Sequence, residues 1–297
     1  MADTPRIGFI GLGIMGAPMA ANLIKAGFPV VGHNRSRAAV DRLVAAGGQA
    51  GESVADVTRR SDVVITMLPD SPDVEAVTLA PDGVLASAAA GLLYIDMSTV
   101  RPQTSVAIAR AAADKGIRVL DAPVSGGEQG AIEGALSIMC GGDEAAFEAA
   151  LPVLRAVGST IVHVGTAGAG QTVKAANQLV VAGTIELVAE AIVLMEASGV
   201  DAAAGLRVLG GGLAGSRVID RKGAAMLARS FAPGFRVDLH HKDLGICLDV
   251  ARDAGAVIPL GASVAQLMSA LRAQGDGSLD HGALLNVVER LSGRRHD

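Results

Sequence analysis

The 297-residue sequence predicts an α/β fold: an N-terminal doubly wound parallel sheet of Rossmann type, followed by an all-α C-terminal domain joined to it through a long helix. Three observations predict it. Short apolar runs alternate with helical stretches from Ile7 to about Val164. The first run leads straight into Gly11-x-Gly13-x-x-Gly16. From about Gly170 onward, strand-like runs give way to long apolar helical stretches. The expected division is a dinucleotide-binding domain over 1–166 and a helical substrate and oligomerisation domain over 167–297.

Strand, glycine turn and helix in that order form a dinucleotide-binding fingerprint. Gly11 permits the tight turn, Gly13 lets backbone approach a pyrophosphate, and Gly16 lets helix pack closely on strand. The backbone amides of Leu12, Ile14 and Met15 then lie near the positive end of a helix running from about Ala17 to Ala26, with Gly27 closing it. The next strand, Pro29 to His33, ends where an adenosine ribose sits in such folds. NAD enzymes usually place Asp or Glu there, but this chain reads Gly32-His33-Asn34-Arg35-Ser36. Arg35 is suited to pair with a 2'-phosphate, with hydrogen bonds from Asn34 and Ser36. NADP(H) is therefore the expected cofactor. NAD(H) is the alternative, in which Arg35 is a solvated loop cation or stacks on the adenine.

A helix is expected over Ser36 to Ala46, then a strand from Asp62 whose end, Met67-Leu68-Pro69, faces the cofactor side as Pro69 forces an exit. Leu93 to Asp96 repeats the design, with Ser98 and Thr99 at its tip and a helix from Pro102. Thr99 is placed near the nicotinamide half. Further strands are expected at Arg118–Ala122, Ala135–Cys140 and Thr160–Val164. Gln171 to Ser198, apolar all round in its first half, predicts a long buried helix stopped by Gly199. Later helices are expected at Ala202–Leu209, Ser216–Ala228, Leu239–Asp253, Leu260–Ala273 and Ala283–Ser292.

Chemistry concentrates on the long helix. Lys174 is the only charge before Glu186, and an ammonium on a buried helix is costly. Burial lowers a lysine pKa and so suits it to proton transfer near neutrality. Asn177 and Gln178, three and four residues on, share its face. A lysine that snorkels to the surface is the competing reading. Asp121-Ala-Pro-Val-Ser125-Gly126-Gly127 favours the first, because it follows a strand end where ligands collect. A hydroxyl followed by two glycine amides suits a small carboxylate. A third cluster, Phe231 to Leu244, places Lys242 and Asp243 at the start of a helix. Its adjacent His240 and His241 point apart on a helix and lack a third ligand, so no metal is expected.

Composition narrows the partners. A net charge of −5 from 25 basic and 30 acidic residues, with no basic block, argues against nucleic acid. Two cysteines without metal or disulfide spacing, both expected to be buried, suit a reducing cytoplasm, and no leader precedes the first strand. Two uncharged stretches, Ala156–Val173 and Ala254–Leu271, are broken by glycine, proline or polar residues, so no membrane span is expected. An apolar, alanine-rich C-terminal half suggests a homo-oligomer, dimer or tetramer.

Three stretches resemble the β-hydroxyacid dehydrogenase family, relatives of 3-hydroxyisobutyrate dehydrogenase: Phe9 to Leu23 its cofactor signature, Asp121 to Gly127 its substrate loop, and Gly168 to Lys174 its catalytic segment. The resemblance spans essentially the whole chain. It implies Lys174 as acid/base, Ser125, Gly126 and Gly127 as holders of a substrate carboxylate, Asn177 near the reacting oxygen, and Lys242 against the cofactor. The implied substrate is a small carboxylate-bearing aldehyde or hydroxy acid. Relatives that reduce imines lack the lysine, so Lys174 points to alcohol and carbonyl chemistry. Gly211–Ser216 and Pro233–His240 look most like family members that reduce a hydroxy-acid semialdehyde. Members differ at the ribose turn between acidic and Asn-Arg versions. The alternatives are oxidation of another short hydroxy acid by the same residues, or a cofactor-binding sensor without turnover.

Overall fold

The computed structural model describes residues 4–294. The N-terminal half runs β1 (Ile7–Ile10), α1 (Gly16–Lys25), β2 (Val30–His33), α2 (Arg37–Ala45), β3 (Gln49–Ala50), α3 (Val54–Arg59), β4 (Val63–Thr66), α4 (Ser71–Leu79), α5 (Val84–Ser87), β5 (Leu93–Asp96) and α6 (Pro102–Ala113). It continues through β6 (Arg118–Asp121), β7 (Val124–Ser125), α7 (Gly127–Glu133), β8 (Leu136–Gly142), α8 (Glu144–Leu154) and β9 (Gly158–Gly165). Helices follow: α9 (Ala169–Ala197), α10 (Ala202–Gly211), α11 (Arg217–Leu227), α12 (Val237–Ala254), α13 (Pro259–Ala273) and α14 (Leu284–Leu291), with short 3-10 turns at Asp276–Ser278 and His281–Ala283. The chain separates into two compact units, one ending at Lys174 and the other starting at Ala175. The division falls inside α9.

The sheet order is β3-β2-β1-β4-β5-β6-β8-β7, with β9 paired to β8. From β3 to β6 all pairings are parallel. Strands β1, β4 and β5 are buried along their whole length, as a parallel sheet covered on both faces requires. Ile7, Phe9 and Ile65 pack on one face with Met19 and Leu23, while Ile10, Val64 and Tyr94 pack on the other with Val57 and Ile108. Within this doubly wound, mainly parallel sheet β8 runs antiparallel to β6 and β7. Little more than the seven-residue α7 links β7 to β8, too little chain for a parallel crossover of a dozen or more residues. Short α3, α4, α5, α7 and α8 have no counterpart in the sequence pattern. At α3 and α4 side-chain caps mark the start, Ser53 accepting from the Asp56 amide and Asp70 from the Ser71 amide.

In the C-terminal unit, Ile185, Val188, Ala189 and Ile192 of α9 pack with Leu206, Met226, Val264, Met268 and Leu284. α9 is 29 residues long, and an 18-residue window of it reaches a mean hydropathy of 1.8, long and apolar enough to cross a membrane by composition, though 44% of that window is buried in the protein. Cys140 and Cys247 are both buried.

Glu186 is a buried acid on this helix, and its Oε2 has no hydrogen-bond partner among the described residues. Burial, and then the neighbouring Glu190, push its carboxyl up to about 7 from 4.5. A raised folded-state pKa means the folded protein holds this proton more tightly. Stability from this group is therefore present below pH 4.5 and lost as pH rises through 7. The advantage of Glu186→Gln over wild type should accordingly grow between pH 4 and pH 8, by up to about 3 kcal/mol at 1.36 kcal/mol per pKa unit. Denaturant melts at both pH values measure it, and a pH-independent difference would count against a buried, unpaired carboxylate.

Candidate active site

The glycine turn has the geometry its spacing demands. Gly11 adopts φ +100°, and a Cβ there would meet the Met67 carbonyl, whereas a Cβ on Gly16 would run into the carbonyl of Gly11. Around Gly13 the space is open, with nothing within 4 Å of a Cβ position. The first turn of α1 carries no acidic residue, and Met15 stands at its N-cap without a side-chain cap. Open backbone at a helix N-terminus without negative charge fits the diphosphate of a dinucleotide. Ile14 is exposed beside it, while the Leu12 side chain is buried in the core.

Asn34, expected at the ribose, turns its Oδ1 to the Leu12 amide at 3.0 Å, so it braces the glycine turn and occupies the amide assigned to phosphate. Its Nδ2 faces the Ser36 carbonyl at 3.4 Å. A side-chain amide can cross between parallel strand ends in this way, which strand periodicity does not reveal. Arg35 is 88% exposed, with Asp73 4.0 Å away, and Ser36 is the extended N-cap of α2.

At the C-terminal ends of β4 and β5 the loops are tied together. The Leu68 amide donates to Ser98 Oγ at 2.9 Å, and the Ser98 amide donates to Asp96 Oδ1 at 3.1 Å. Thr66 also donates to that oxygen at 2.8 Å. This holds Met67 and Leu68, with Pro69 exposed beyond them, beside the Thr99 turn. Gln171 in the first turn of α9 bridges the same turn: its Oε1 accepts from the Val100 amide and its Nε2 donates to the Ser98 carbonyl. Burial pushes the Asp96 carboxyl up to about 6 despite these hydrogen bonds.

Asp121, quoted only as the opening of the substrate loop, holds the start of α9. Its Oδ1 accepts from the Gly168 amide at 2.8 Å and its Oδ2 from the Gln171 amide at 3.0 Å. Carboxylate and helix N-terminus attract, and the bonds offset part of the burial that raises its pKa. A Cβ on Gly170 would strike Met139 and Asp121, so glycine is needed where α9 meets the sheet.

This anchoring aims Lys174 at the loop. Lys174 is buried, and its Nζ donates to the Val124 carbonyl at 2.7 Å. The chain then passes through Ser125, half-buried in β7, to Gly126 at φ +142° and Gly127 at φ +64°, a left-handed path that favours glycine. The ammonium and the Ser-Gly-Gly turn are thus together, and the snorkelling alternative is excluded. Asn177 lies one helical turn beyond Lys174, its Nδ2 donating to Gln178 Oε1 at 2.8 Å. Gln178 Nε2 donates to Asp243 Oδ2 at 2.6 Å, and Asp243 Oδ1 pairs with Lys242 Nζ at 2.9 Å. Since α12 begins at Val237, Lys242 stands in its second turn rather than at its start. His240 is buried with Nε2 3.3 Å from the Gln178 carbonyl and Nδ1 2.9 Å from His281 Nδ1, while His241 faces Ser269. Among the described residues no group of three or more His, Cys, Asp or Glu could hold a metal ion.

Two family models divide the chain between them: the NAD binding domain of 6-phosphogluconate dehydrogenase matches residues 6–165, and the NAD-binding domain of NADP-dependent 3-hydroxyisobutyrate dehydrogenase matches residues 168–288. The 2-hydroxy-3-oxopropionate reductase of Escherichia coli K12 is 41% identical over 98% of this chain and 99% of its own. The chain belongs to the β-hydroxyacid dehydrogenase family. It is an NAD(P)-dependent oxidoreductase acting on CH–OH groups. The 3-hydroxyisobutyrate dehydrogenase of Pseudomonas aeruginosa is likewise 41% identical, over 96% of this chain and 97% of its own. Among solved structures, Mycobacterium tuberculosis 3-hydroxyisobutyrate dehydrogenase with L-serine superposes with a TM-score of 0.86 at 35% identity, covering 96% of this chain and 99% of that one.

In this β-hydroxyacid dehydrogenase, the sequence marks Asp121, Gln178 and Asp243 but not the positioning contacts they make. Asp121 and Gln171 seat α9, and Gln178 and Asp243 sit behind Asn177. The sequence places Gln178 on the Lys174 face and Asp243 beside Lys242, and neither spacing reveals that the two meet.

Proposed function

We propose that this protein reduces tartronate semialdehyde (2-hydroxy-3-oxopropanoate) to glycerate, with NADPH favoured over NADH. The observation that carries the reading is Lys174, its ammonium held at the carbonyl that precedes Ser125-Gly126-Gly127. Similarity to a 2-hydroxy-3-oxopropionate reductase supports the choice of substrate. The nicotinamide supplies the hydride when bound. The chain's own residues do the rest. Ser125 Oγ and the amides of Gly126 and Gly127 hold the substrate carboxylate, which fixes the aldehyde within reach of Lys174. Lys174 Nζ gives up a proton to the developing alkoxide, and Asn177 lies beside the same oxygen, its Oδ1 accepting from the hydroxyl that forms. Reversal requires neutral Lys174, so oxidation is favoured as pH rises. Gly11, Gly13, Gly16, Ile14 and Met15 cradle the diphosphate, Met67, Leu68, Pro69 and Thr99 line the nicotinamide side, and Lys242 lies against the cofactor. Exposed Arg35 is free of tight pairing and supports a 2'-phosphate partner.

Initial rates of NADPH and NADH consumption with the semialdehyde, beside oxidation of 3-hydroxyisobutyrate and glycerate, test this. Fast NADPH-dependent reduction supports substrate and cofactor together, and an NADH preference overturns the role of Arg35 alone. Turnover of 3-hydroxyisobutyrate without the semialdehyde would establish the second reading, which the similarity to 3-hydroxyisobutyrate dehydrogenases supports.

We also propose that the protein works as a homo-oligomer paired along α9. Val173, Val180, Leu187 and Leu194 recur every seven residues and are 37%, 66%, 62% and 67% exposed. Together they leave bare on the order of 400 Å², within the range of patches that mark interaction sites. The stripe is nearly symmetric about Gly183, around whose Cβ position nothing lies within 4 Å. A second, antiparallel α9 would set Val180 against Leu187 and let the backbones approach at the glycine. The double variant Val180→Glu, Leu187→Glu should sediment as a monomer where wild type does not. An unchanged sedimentation coefficient removes α9 from the interface.

A further inference from the structure

Behind Asn177 runs a chain of polar groups whose direction is set at one end. Asp243 is buried, and its ionised carboxylate only accepts hydrogen bonds. The group 2.6 Å from its Oδ2 must therefore be the NH2 of Gln178 and not its oxygen. A planar amide that turns its nitrogen to Asp243 turns its oxygen the other way, and that oxygen meets Asn177 at 2.8 Å. An oxygen accepts, so the Asn177 atom facing it must be its NH2. Asn177 is then left with its Oδ1 directed away from Gln178. We propose that Asp243, which touches neither Lys174 nor the Ser125 loop in any hydrogen bond described above, is a positioning residue that fixes the orientation of the Asn177 amide through Gln178.

The supports on either side keep the chain in place. Lys242 pairs with the other oxygen of Asp243 at 2.9 Å. His240 donates from Nε2 to the Gln178 backbone carbonyl, and because that carbonyl can only accept, Nε2 must carry the proton. Its Nδ1 lies 2.9 Å from His281 Nδ1. Gln178 is held by both its side chain and its backbone. A flipped Asn177 would offer NH2 where its oxygen now stands, and an NH2 cannot accept from an ammonium or a substrate hydroxyl.

The inference rests on the proposed function in one respect: it takes Asn177 to face the reacting oxygen. The test is a double-mutant cycle on kcat with Asp243→Asn and Gln178→Leu. Asparagine can present either NH2 or oxygen to Gln178, so the direction is lost while shape is kept. Leucine interrupts the chain and leaves the Lys242–Asp243 pair intact. Each single variant is expected to lower kcat about 10- to 100-fold, the scale of one charge-assisted hydrogen bond, with KM for the acid changed less than about threefold. The double variant should lose no more than the worse single, since one chain is broken either way. A kcat within about twofold of wild type in Asp243→Asn, or losses that multiply, overturns the proposal. A wild type that turns over no short hydroxy acid counts against the functional reading alone. The chain is then read from the side-chain amide resonances of 15N-labelled protein: Asn177 signals that shift and broaden in Asp243→Asn support it, and unchanged signals overturn it.

Discussion

Lys174→Ala is expected to lower kcat by about 10²- to 10⁴-fold, the usual contribution of a positioned acid/base, while NADPH affinity stays within about twofold. The reason is geometric. The ammonium is buried and donates to the Val124 carbonyl, in the substrate loop rather than in the glycine turn. Removing it empties the place where a proton is delivered and leaves Gly11 to Gly16 untouched. The fold should tolerate the change, since α9 is seated by Asp121 and Gln171 and not by Lys174. Single-turnover rates with bound NADPH, beside NADPH fluorescence titration, separate the two effects. Turnover near wild type would take Lys174 out of its role, whereas lost cofactor affinity would point to a disturbed glycine turn.

Gly13→Val should give the opposite pattern, weakening NADPH binding at least about 100-fold, close to 3 kcal/mol, with little change in folding stability. No atom lies within 4 Å of a Cβ at Gly13, so the isolated protein can accept the side chain. The branched methyls then stand where the diphosphate must approach. Gly16→Ala is the contrasting control. Its Cβ would meet the Gly11 carbonyl, so it should cost about 1–3 kcal/mol in stability through overpacking and lose cofactor binding only as a consequence. Calorimetry and fluorescence titration on both variants measure the split. Equal loss of stability in both would mean that Gly13 is packed and does not line an approach to phosphate.

The difference between these two glycines was legible from spacing, because each role in the turn follows from its place after the strand. The same holds for the layered order of the N-terminal half and for the helical second half, where periodicity and breakers are local signals. Lys174 was legible for a different reason: a lone charge on an apolar helix is conspicuous. The bond from the Leu12 amide to Asn34 was not legible, since a residue at a strand end can serve the neighbouring loop as easily as a ligand.

The sequence by itself determined the fold class, the glycine turn and the lone charge on the long helix, all of which depend on neighbours a few positions apart. Only the tertiary structure decided how that residue is aimed. Asp121 seats α9 across 47 residues of chain, and Asp243 meets Gln178 across 65. The antiparallel course of β8 depends likewise on a strand partner distant in sequence. Such polar contacts leave no period in the sequence, because each is a single pairing fixed by where the chain folds back and not by a repeating face.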